Sequence, residues 1–308
     1  MAYQLALKTL SLIESSMEAD QGAAFRVAQG QVMPHMGDAF RGADEGFRSH
    51  LGASMIGREC AREIWYGFHW SKKPKFTGRM LRLFNRGHLE EARFIAALLS
   101  IGVQVYQQDA SGNQFRISDC GGHFGGSGDG VGIGVPDVPV GTPCLLEFKT
   151  HGENSFLKLQ KSGVQVAKPE HYAQMNTYMR KMGLMYALYG AVNKNTDEYH
   201  MEIVILDTLL ADQYLDRAKQ IIYLREAPAK IRGASPGLYA CRYCDMKDIC
   251  HNDAPKAVNC RTCFHAYAAE DGTWRCKSAR RAFTQPDPTN DILTKEMQLA
   301  ACQEYTPF

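Results

Sequence analysis

The segment Cys144-Leu145-Leu146-Glu147-Phe148-Lys149 constrains this chain most. It reads as a short buried strand, apolar except at two charged positions. Alternate side chains of a strand share a face, so Glu147 and Lys149 project together, and Thr150-His151-Gly152 closes the strand. Eighteen residues upstream, Asp129 sits in Gly125-Gly126-Ser127-Gly128-Asp129-Gly130, where glycines allow close backbone approach and positive φ around a carboxylate. The same pattern is also ordinary turn chemistry. No GxGxxG or Walker spacing is present, so the glycines support the aspartate and do not read as a phosphate cradle. Gln174 and Tyr178, at i and i+4, share one face of the next helix.

Two carboxylates with a lysine suit a divalent ion that activates water and neutralises charge on a transferring phosphoryl group. Glu147 and Asp129 would hold the ion, and Lys149 would steady the incoming hydroxide or the phosphate oxygens. Each element also has a plain structural reading. Glu-x-Lys alternation is common in exposed strands, and His88 is compatible with a satisfied helix-start histidine ahead of Leu89, Ala92, Phe94, Ile95, Leu98 and Leu99.

Order and spacing together resemble the PD-(D/E)xK nucleases, specifically the RecB-like branch whose members carry an iron–sulfur cluster. His88 in Arg86-Gly87-His88-Leu89-Glu90 resembles the upstream histidine of that branch, and Asp129 its first carboxylate. Glu147-Phe148-Lys149-Thr150 resembles the (D/E)xK strand, with Glu in place of the commoner Asp, and Gln174-Met175-Asn176-Thr177-Tyr178 the QxxxY helix. The resemblance implies Mg²⁺ or Mn²⁺ held by His88, Asp129, Glu147 and the backbone carbonyl of Phe148. It also implies a catalytic Lys149, with Gln174 and Tyr178 orienting lysine and DNA.

Ten cysteines occur in 308 residues, six of them between Cys241 and Cys276. No signal-like or membrane-length apolar segment is evident, so a cytoplasmic setting, in a bacterial or phage-infected cell, is expected. In a reducing compartment clustered cysteines favour metal binding over disulfides, which remain the alternative. Cys241-x2-Cys244-x5-Cys250 gives three thiolates where a cluster or structural zinc takes four. The resemblance implies that Cys60 is the fourth ligand of a [4Fe–4S] cluster; zinc at the same residues is the alternative, since spacing does not identify the metal. Cys260-x2-Cys263-x-His265 with Cys276 has the look of a small zinc knuckle, with either His265 or His251 as its histidine. Arg261, Arg275, Lys277, Arg280 and Arg281 make that group a candidate DNA-contacting or merely solvated basic face. Cys120, Cys144 and Cys302 lack partners at ligand spacing and read as ordinary small residues.

With 35 Lys and Arg against 33 Asp and Glu, the net charge of +2 advertises no polyanion partner, so any DNA path must be local. Lys72, Lys73, Lys75, Arg79, Arg82 and Arg86, interleaved with Trp70, Phe76 and Phe84, suit a backbone-tracking groove with base stacking, or a solvated face.

Expected elements are a helix from Tyr3 to Ser16, a helical segment from Ser49 to Trp70 carrying Cys60, and a helix from His88 to Ser100. Extended segments at 103–108, 113–118 and 131–135 lead into the Cys144 strand. A helix at 169–181 follows, then strands at 184–192 and 199–206, then a helix capped by Asp207 and running to about Arg225. This order predicts an α/β fold with a central mixed sheet flanked by helices, restriction-endonuclease-like, and a Cys-rich C-terminal metal-binding region. The divisions are 1–50, an N-terminal helical extension; 51–227, the nuclease core; 228–282, the Cys-rich region; and 283–308, a tail. The expected activity is a metal-dependent DNA exonuclease acting on single-stranded or duplex ends in recombination, repair or phage DNA processing, beside recombination or replication proteins. The alternatives are an endonuclease of the same superfamily, a non-catalytic DNA-binding scaffold, or a metalloregulator. No P-loop is present for ATP-driven unwinding.

Overall fold

The computed structural model describes residues 3–35, 47–278 and 291–308. In chain order the elements are β1 (Gln4–Leu5), α1 (Leu7–Ala19), α2 (Ala23–Val32), β2 (Leu51–Gly52), α3 (Ala61–Phe68), α4 (Gly78–Ser100), β3 (Gln104–Tyr106), β4 (Arg116–Asp119), β5 (Phe124–Ser127), β6 (Gly130–Ile133) and β7 (Pro143–His151). They continue with α5 (Glu153–Ala167), α6 (Pro169–Met182), β8 (Tyr186–Asn193), β9 (Tyr199–Ile205), α7 (Thr208–Tyr223), α8 (Tyr239–Arg242), α9 (Lys247–His251), β10 (Ala266–Ala268), β11 (Trp274–Cys276), β12 (Ile292–Leu293) and α10 (Lys295–Ala300). The chain divides into two compact units, each assembled from separate segments: 3–35, 76–117 and 127–212 in one, and 47–75, 118–126, 213–278 and 291–308 in the other.

The first unit is built on a six-stranded mixed sheet in the order β1-β9-β8-β7-β6-β3. β7 runs parallel to β8 and antiparallel to β6, and Glu147 stands opposite Tyr189, Lys149 opposite Ala191. Period-two alternation then divides the sheet chemically. Cys144, Leu146, Phe148, Leu188, Val192, Met201 and Ile203 join a buried apolar cluster with Ile13 of α1, Val32 of α2, and Phe94, Ile95 and Leu98 of α4. Leu145, Glu147 and Lys149 fall on the opposite parity, towards the side where Tyr178 of α6 and Ser155 of α5 meet the strands. That side is buried as well, by Leu145 with Phe156 and Leu159 of α5 and Met175 and Met179 of α6, and Glu147 lies fully buried on it.

The second unit centres on a buried cation. The Arg261 guanidinium lies 3.8 Å from the Trp70 ring centroid, 4.5 Å from Trp274 and 5.6 Å from Phe68. It also donates to Gln298 Oε1 at 2.8 Å and to the Phe68 carbonyl at 3.2 Å. Within this unit the segment carrying α3 is tied to residues far along the chain: Trp65 Nε1 donates to the Leu224 carbonyl and Arg217 to the carbonyls of Ile56 and Arg58. A three-stranded sheet follows the order β2-β5-β4, and β10-β11-β12 form an antiparallel one.

Several local expectations are corrected. The N-terminal helix is preceded by β1, whose Gln4 and Leu5 pair with β9. The segment 49–70 is a two-residue strand and a 3-10 turn before α3, so Cys60 is the N-cap residue of a short helix and does not sit within a long one. α4 starts at Gly78, capped by Thr77, which puts His88 in mid-helix. α2 and α5 were not expected; in α5 Gly163 adopts φ +70°, a break that lets Val164 N–H reach the Glu202 carboxylate. Arg280 and Arg281 lie outside the described residues.

Phe94 and Phe148 stack with centroids 4.8 Å apart, and Gly190 permits this: a Cβ there would lie 2.9 Å from Phe148 and 3.1 Å from Phe94. Gly190→Val is expected to destabilise the protein by about 2 kcal/mol through overpacking. Urea unfolding followed by circular dichroism measures it, and an unchanged midpoint would contradict the packing described.

Candidate active site

Glu147 is fully buried in the middle of β7. One oxygen, Oε1, is bonded to the Lys149 ammonium. The other, Oε2, has no hydrogen-bond partner among the described residues. Burial pushes the Glu147 carboxyl up to about 7; Lys149 opposes that rise and Asp129 adds to it. For Lys149 the cost of burial is outweighed by Glu147 and Asp129, which hold the ammonium above its usual value. The Lys149 side chain keeps 26% of its surface exposed, so it bridges the buried carboxylate to solvent. Lys149 Nζ also donates to the Phe148 carbonyl at 3.2 Å.

Asp129 occupies the turn between β5 and β6, and its Oδ2 accepts the Phe148 N–H at 2.7 Å. That bond pins the aspartate to the strand bearing Glu147. Gly130 allows the turn: a Cβ there would lie 2.9 Å from the Tyr106 carbonyl. The Tyr178 hydroxyl donates to the Ser127 carbonyl at 3.0 Å, so α6 holds the segment that carries Asp129. Gln174 interacts with both the Glu147 carboxylate and the Tyr178 hydroxyl. Asp129, Glu147, Phe148, Lys149, Gln174 and Tyr178, separated in sequence, therefore form one constellation.

Beside it opens a cavity of about 350 Å³, lined by Phe148, Lys149, His88, Glu91, Lys168 and His171 among others; neither Asp129 nor Glu147 lines it. His88 faces this cavity from α4, with Nδ1 3.7 Å from Glu91 Oε1. The sequence reading missed Glu91, His151 and His171. His151 Nε2 and His171 Nδ1 each lie 2.9 Å from the Tyr189 hydroxyl, and His151 Nδ1 lies 3.0 Å from Ser155 Oγ. A tyrosine hydroxyl has one proton to give, so at least one imidazole donates to it. Burial, then the Lys168 and Lys194 charges, pull His151 down to about 4, and burial lowers His171 strongly. Both are neutral near pH 7. Sequence signals existed: His151 continues the parity of Glu147 and Lys149, and His171 stands one turn before Gln174.

The first half of α4 is exposed, with Arg79 and Arg82 alongside Phe76 and Phe84, whose rings meet edge to face at 5.0 Å. Arg86 is partly engaged, 3.8 Å from Glu90 and donating to the Lys194 carbonyl. Lys72 donates to the Asp245 carbonyl, so that cation is tied to its own unit.

In the second unit Cys60, Cys241, Cys244 and Cys250 line one small cavity, with Glu63, Lys247 and His251. Burial raises the Cys60 thiol and pushes Cys244 up to about 12; Cys250 acts on Cys60, and Glu63 and Cys60 on Cys244. The cavity also claims His251, one of two candidate histidines for the other cysteine group. Cys260, Cys263 and Cys276 lie around the β10–β11 hairpin. Among the described residues, no three or more His, Cys, Asp or Glu side chains stand ready as a metal-holding group. No described helix is long and apolar enough to cross a membrane.

No family model and no curated protein matches this chain. Among solved structures, LHK-Exo in complex with dAMP is 17% identical, with a TM-score of 0.38 over 56% of this chain and 86% of that one. The alkaline exonuclease LHK-Exo from Laribacter hongkongensis is 16% identical at a TM-score of 0.38, with the same coverage. The structure of SSO0001 is 12% identical at a TM-score of 0.37, covering 73% of this chain and 96% of that one. Likeness at this level does not bear on activity.

The lowered His151 has a signed consequence. In the unfolded chain a histidine titrates near 6.5. The unfolded state therefore binds more protons between pH 6.5 and about 4, and the stability tied to neutral His151 is lost as pH falls through that window. His151→Asn is accordingly expected to be less stable than the wild type at pH 8, with the gap narrowing by about 2 kcal/mol at pH 5. Urea titrations at the two pH values measure this; a constant gap would contradict the assignment.

Proposed function

We propose that this chain is a metal-dependent deoxyribonuclease, an exonuclease that hydrolyses phosphodiester bonds from DNA ends. The observation that carries the reading is Glu147 Oε2: a buried carboxylate oxygen without a hydrogen-bond partner among the described residues, beside a second carboxylate and a lysine. An orphaned buried acceptor costs about 1–3 kcal/mol, more when charged, unless a cation satisfies it. The donor set fits a hard divalent ion, which prefers oxygen ligands. Asp129, Glu147 and the Phe148 carbonyl would hold Mg²⁺ or Mn²⁺, with His88 as the expected further ligand. Bound there, the ion would activate water and neutralise charge on the phosphoryl oxygens.

The chain's own residues supply the rest. Lys149, fixed by Glu147 and partly open to the cavity, presents an ammonium where a phosphate oxygen or hydroxide needs stabilising. Gln174 and Tyr178 position Glu147 and the Asp129 segment. Arg79 and Arg82 with Phe76 and Phe84 suit a strand of DNA tracked by charge and stacking. Cys60, Cys241, Cys244 and Cys250 suit a [4Fe–4S] cluster, or zinc, that would close the second unit upon itself; that the four residues line one small cavity supports this. DNA recombination, repair or phage DNA processing is the setting that fits end-directed cleavage.

Linear DNA labelled at either end, single- or double-stranded, incubated with anaerobically prepared protein and Mn²⁺, tests the reading. Glu147→Gln and Lys149→Met should each lower cleavage by at least about 100-fold while DNA binding persists. Cleavage unaffected by both substitutions, or no cleavage by metallated wild type, overturns it.

A further inference from the structure

The cavity beside Glu147 has two chemically different walls. α4 contributes Glu90 and Glu91, and both are engaged: Arg93 donates to Glu90 Oε1 at 2.8 Å, and His88 Nδ1 stands 3.7 Å from Glu91 Oε1. The end of β7 and the starts of α5 and α6 contribute Lys149, Ser155, Lys168 and His171. Lys149 is bonded to Glu147. Lys168, the single residue between α5 and α6, is half-buried, and its ammonium has no hydrogen-bond or ion-pair partner among the described residues. Gly87 of α4 keeps the space beside these cations open. It lies inside a 23-residue helix, where glycine is disfavoured against alanine, and nothing outside its own stretch of helix comes within 4 Å of where a Cβ would stand.

His171 meets this cavity at the end of a hydrogen-bond chain. Ser155 Oγ lies 3.0 Å from His151 Nδ1, His151 Nε2 lies 2.9 Å from the Tyr189 hydroxyl, and that hydroxyl lies 2.9 Å from His171 Nδ1. A neutral imidazole carries one N–H and one lone pair, and the Tyr189 hydroxyl, on a fully buried side chain, has one proton to give. Only two directions of the chain therefore leave no buried proton without an acceptor. In one, Ser155 donates to His151, His151 to Tyr189 and Tyr189 to His171, so His171 keeps its proton on Nε2, the nitrogen that remains for the cavity the ring lines. In the other every donor is reversed and Nε2 is a bare acceptor. A phosphate diester oxygen only accepts, so it selects the first direction.

The cavity shares Lys149 with the ion seat and Phe84 with the exposed basic stretch of α4, whereas neither Asp129 nor Glu147 lines it. A phosphate held there is not the one under attack, and strand continues on both sides of it. We propose that Lys168 and the His171 Nε2–H bind an internal phosphodiester flanking the scissile bond of a DNA strand, with Tyr189 and His151 as positioning residues that fix the His171 proton. The proposal rests on the reading of this chain as a DNA-cleaving enzyme. The two contacts differ in kind. A lysine that neutralises a phosphate releases counterions, which makes binding salt-dependent, and a neutral imidazole donor releases none.

Fluorescence anisotropy of a labelled oligothymidylate over a salt series, with full-length protein and no added divalent ion, tests it. Lys168→Ala should weaken binding and flatten the slope of log K against log salt by about 0.7, the value for one phosphate of a single strand; Lys168→Arg should restore both. His171→Ala should weaken binding by about threefold to tenfold with the slope unchanged. Tyr189→Phe should weaken it too, and add nothing in the His171→Ala background, as expected of residues that act through one another. Gly87→Leu, which fills the cavity without removing a charge, should also weaken binding. Strands with and without a terminal phosphate should respond alike. Wild-type affinity and slope in Lys168→Ala, wild-type affinity in His171→Ala, or a loss confined to strands bearing a terminal phosphate overturns the proposal. Mn²⁺-dependent cleavage measured in parallel separates the two readings. Wild-type cleavage that Glu147→Gln abolishes, with Lys168→Ala and His171→Ala binding like the wild type, leaves the nuclease standing and refutes this site. Binding that depends on Lys168 and His171 without wild-type cleavage does the reverse, and wild-type protein that binds no DNA overturns both.

Discussion

A carboxylate sealed inside a sheet with one oxygen unpaired is the constraint around which the first unit is arranged. Burying an ion costs several kcal/mol even after relaxation, and a single partner seldom restores it. Glu147 has Lys149 on one oxygen, no hydrogen-bond partner among the described residues on the other, Gln174 close to the carboxylate, and a second carboxylate beside it. Such a group persists when the surrounding fold is strong enough to hold it and a ligand completes it. The strength comes from the other face of the same strands, where Phe148 and Leu146 pack into the apolar cluster under α4. One alternation in β7 thus provides both the anchor and the strained group.

Fixing the site takes contacts from elements on either side of β7. Asp129 is pinned by the Phe148 N–H, and the segment leading to it by Tyr178. Gln174 links the tyrosine to Glu147. Behind the lysine, Tyr189 joins two neutral histidines whose low basicity follows from burial among the Lys149, Lys168 and Lys194 charges. Neutral imidazoles there add no positive charge beside Lys149 and Lys168, which both line the cavity.

The strand carrying Glu147 and Lys149 was legible because a buried parity interrupted by charge has few interpretations, and the mixed sheet followed from the order of elements around it. Asp129 was legible only through its partners, since Asp among glycines is otherwise a turn. α5 escaped because its helical period is broken at Gly163, a conformation stabilised by Glu202 far along the chain. Cys60 was placed in a long helix because nothing local announces the 3-10 turn before α3. Glu91 lay inside the helix expected from His88 onward, one turn past His88, and carried no spacing signal of its own. The second cysteine group, Cys260, Cys263, His265 and Cys276, was read from spacing alone, and spacing does not encode the strand register that sets which faces its members occupy.

Glu147 and Asp129 are proposed as the seat of a divalent ion, and binding of Mn²⁺ to DNA-free protein tests that most directly. Calorimetric titration at pH 7 in buffers of different ionisation enthalpy counts both the ions bound and the protons released. Because burial raises the Glu147 carboxyl to about 7, binding should expel a fraction of a proton, and both ion and proton should vanish in Glu147→Gln. Mn²⁺ binding that survives Glu147→Gln and Asp129→Asn unchanged would contradict the account.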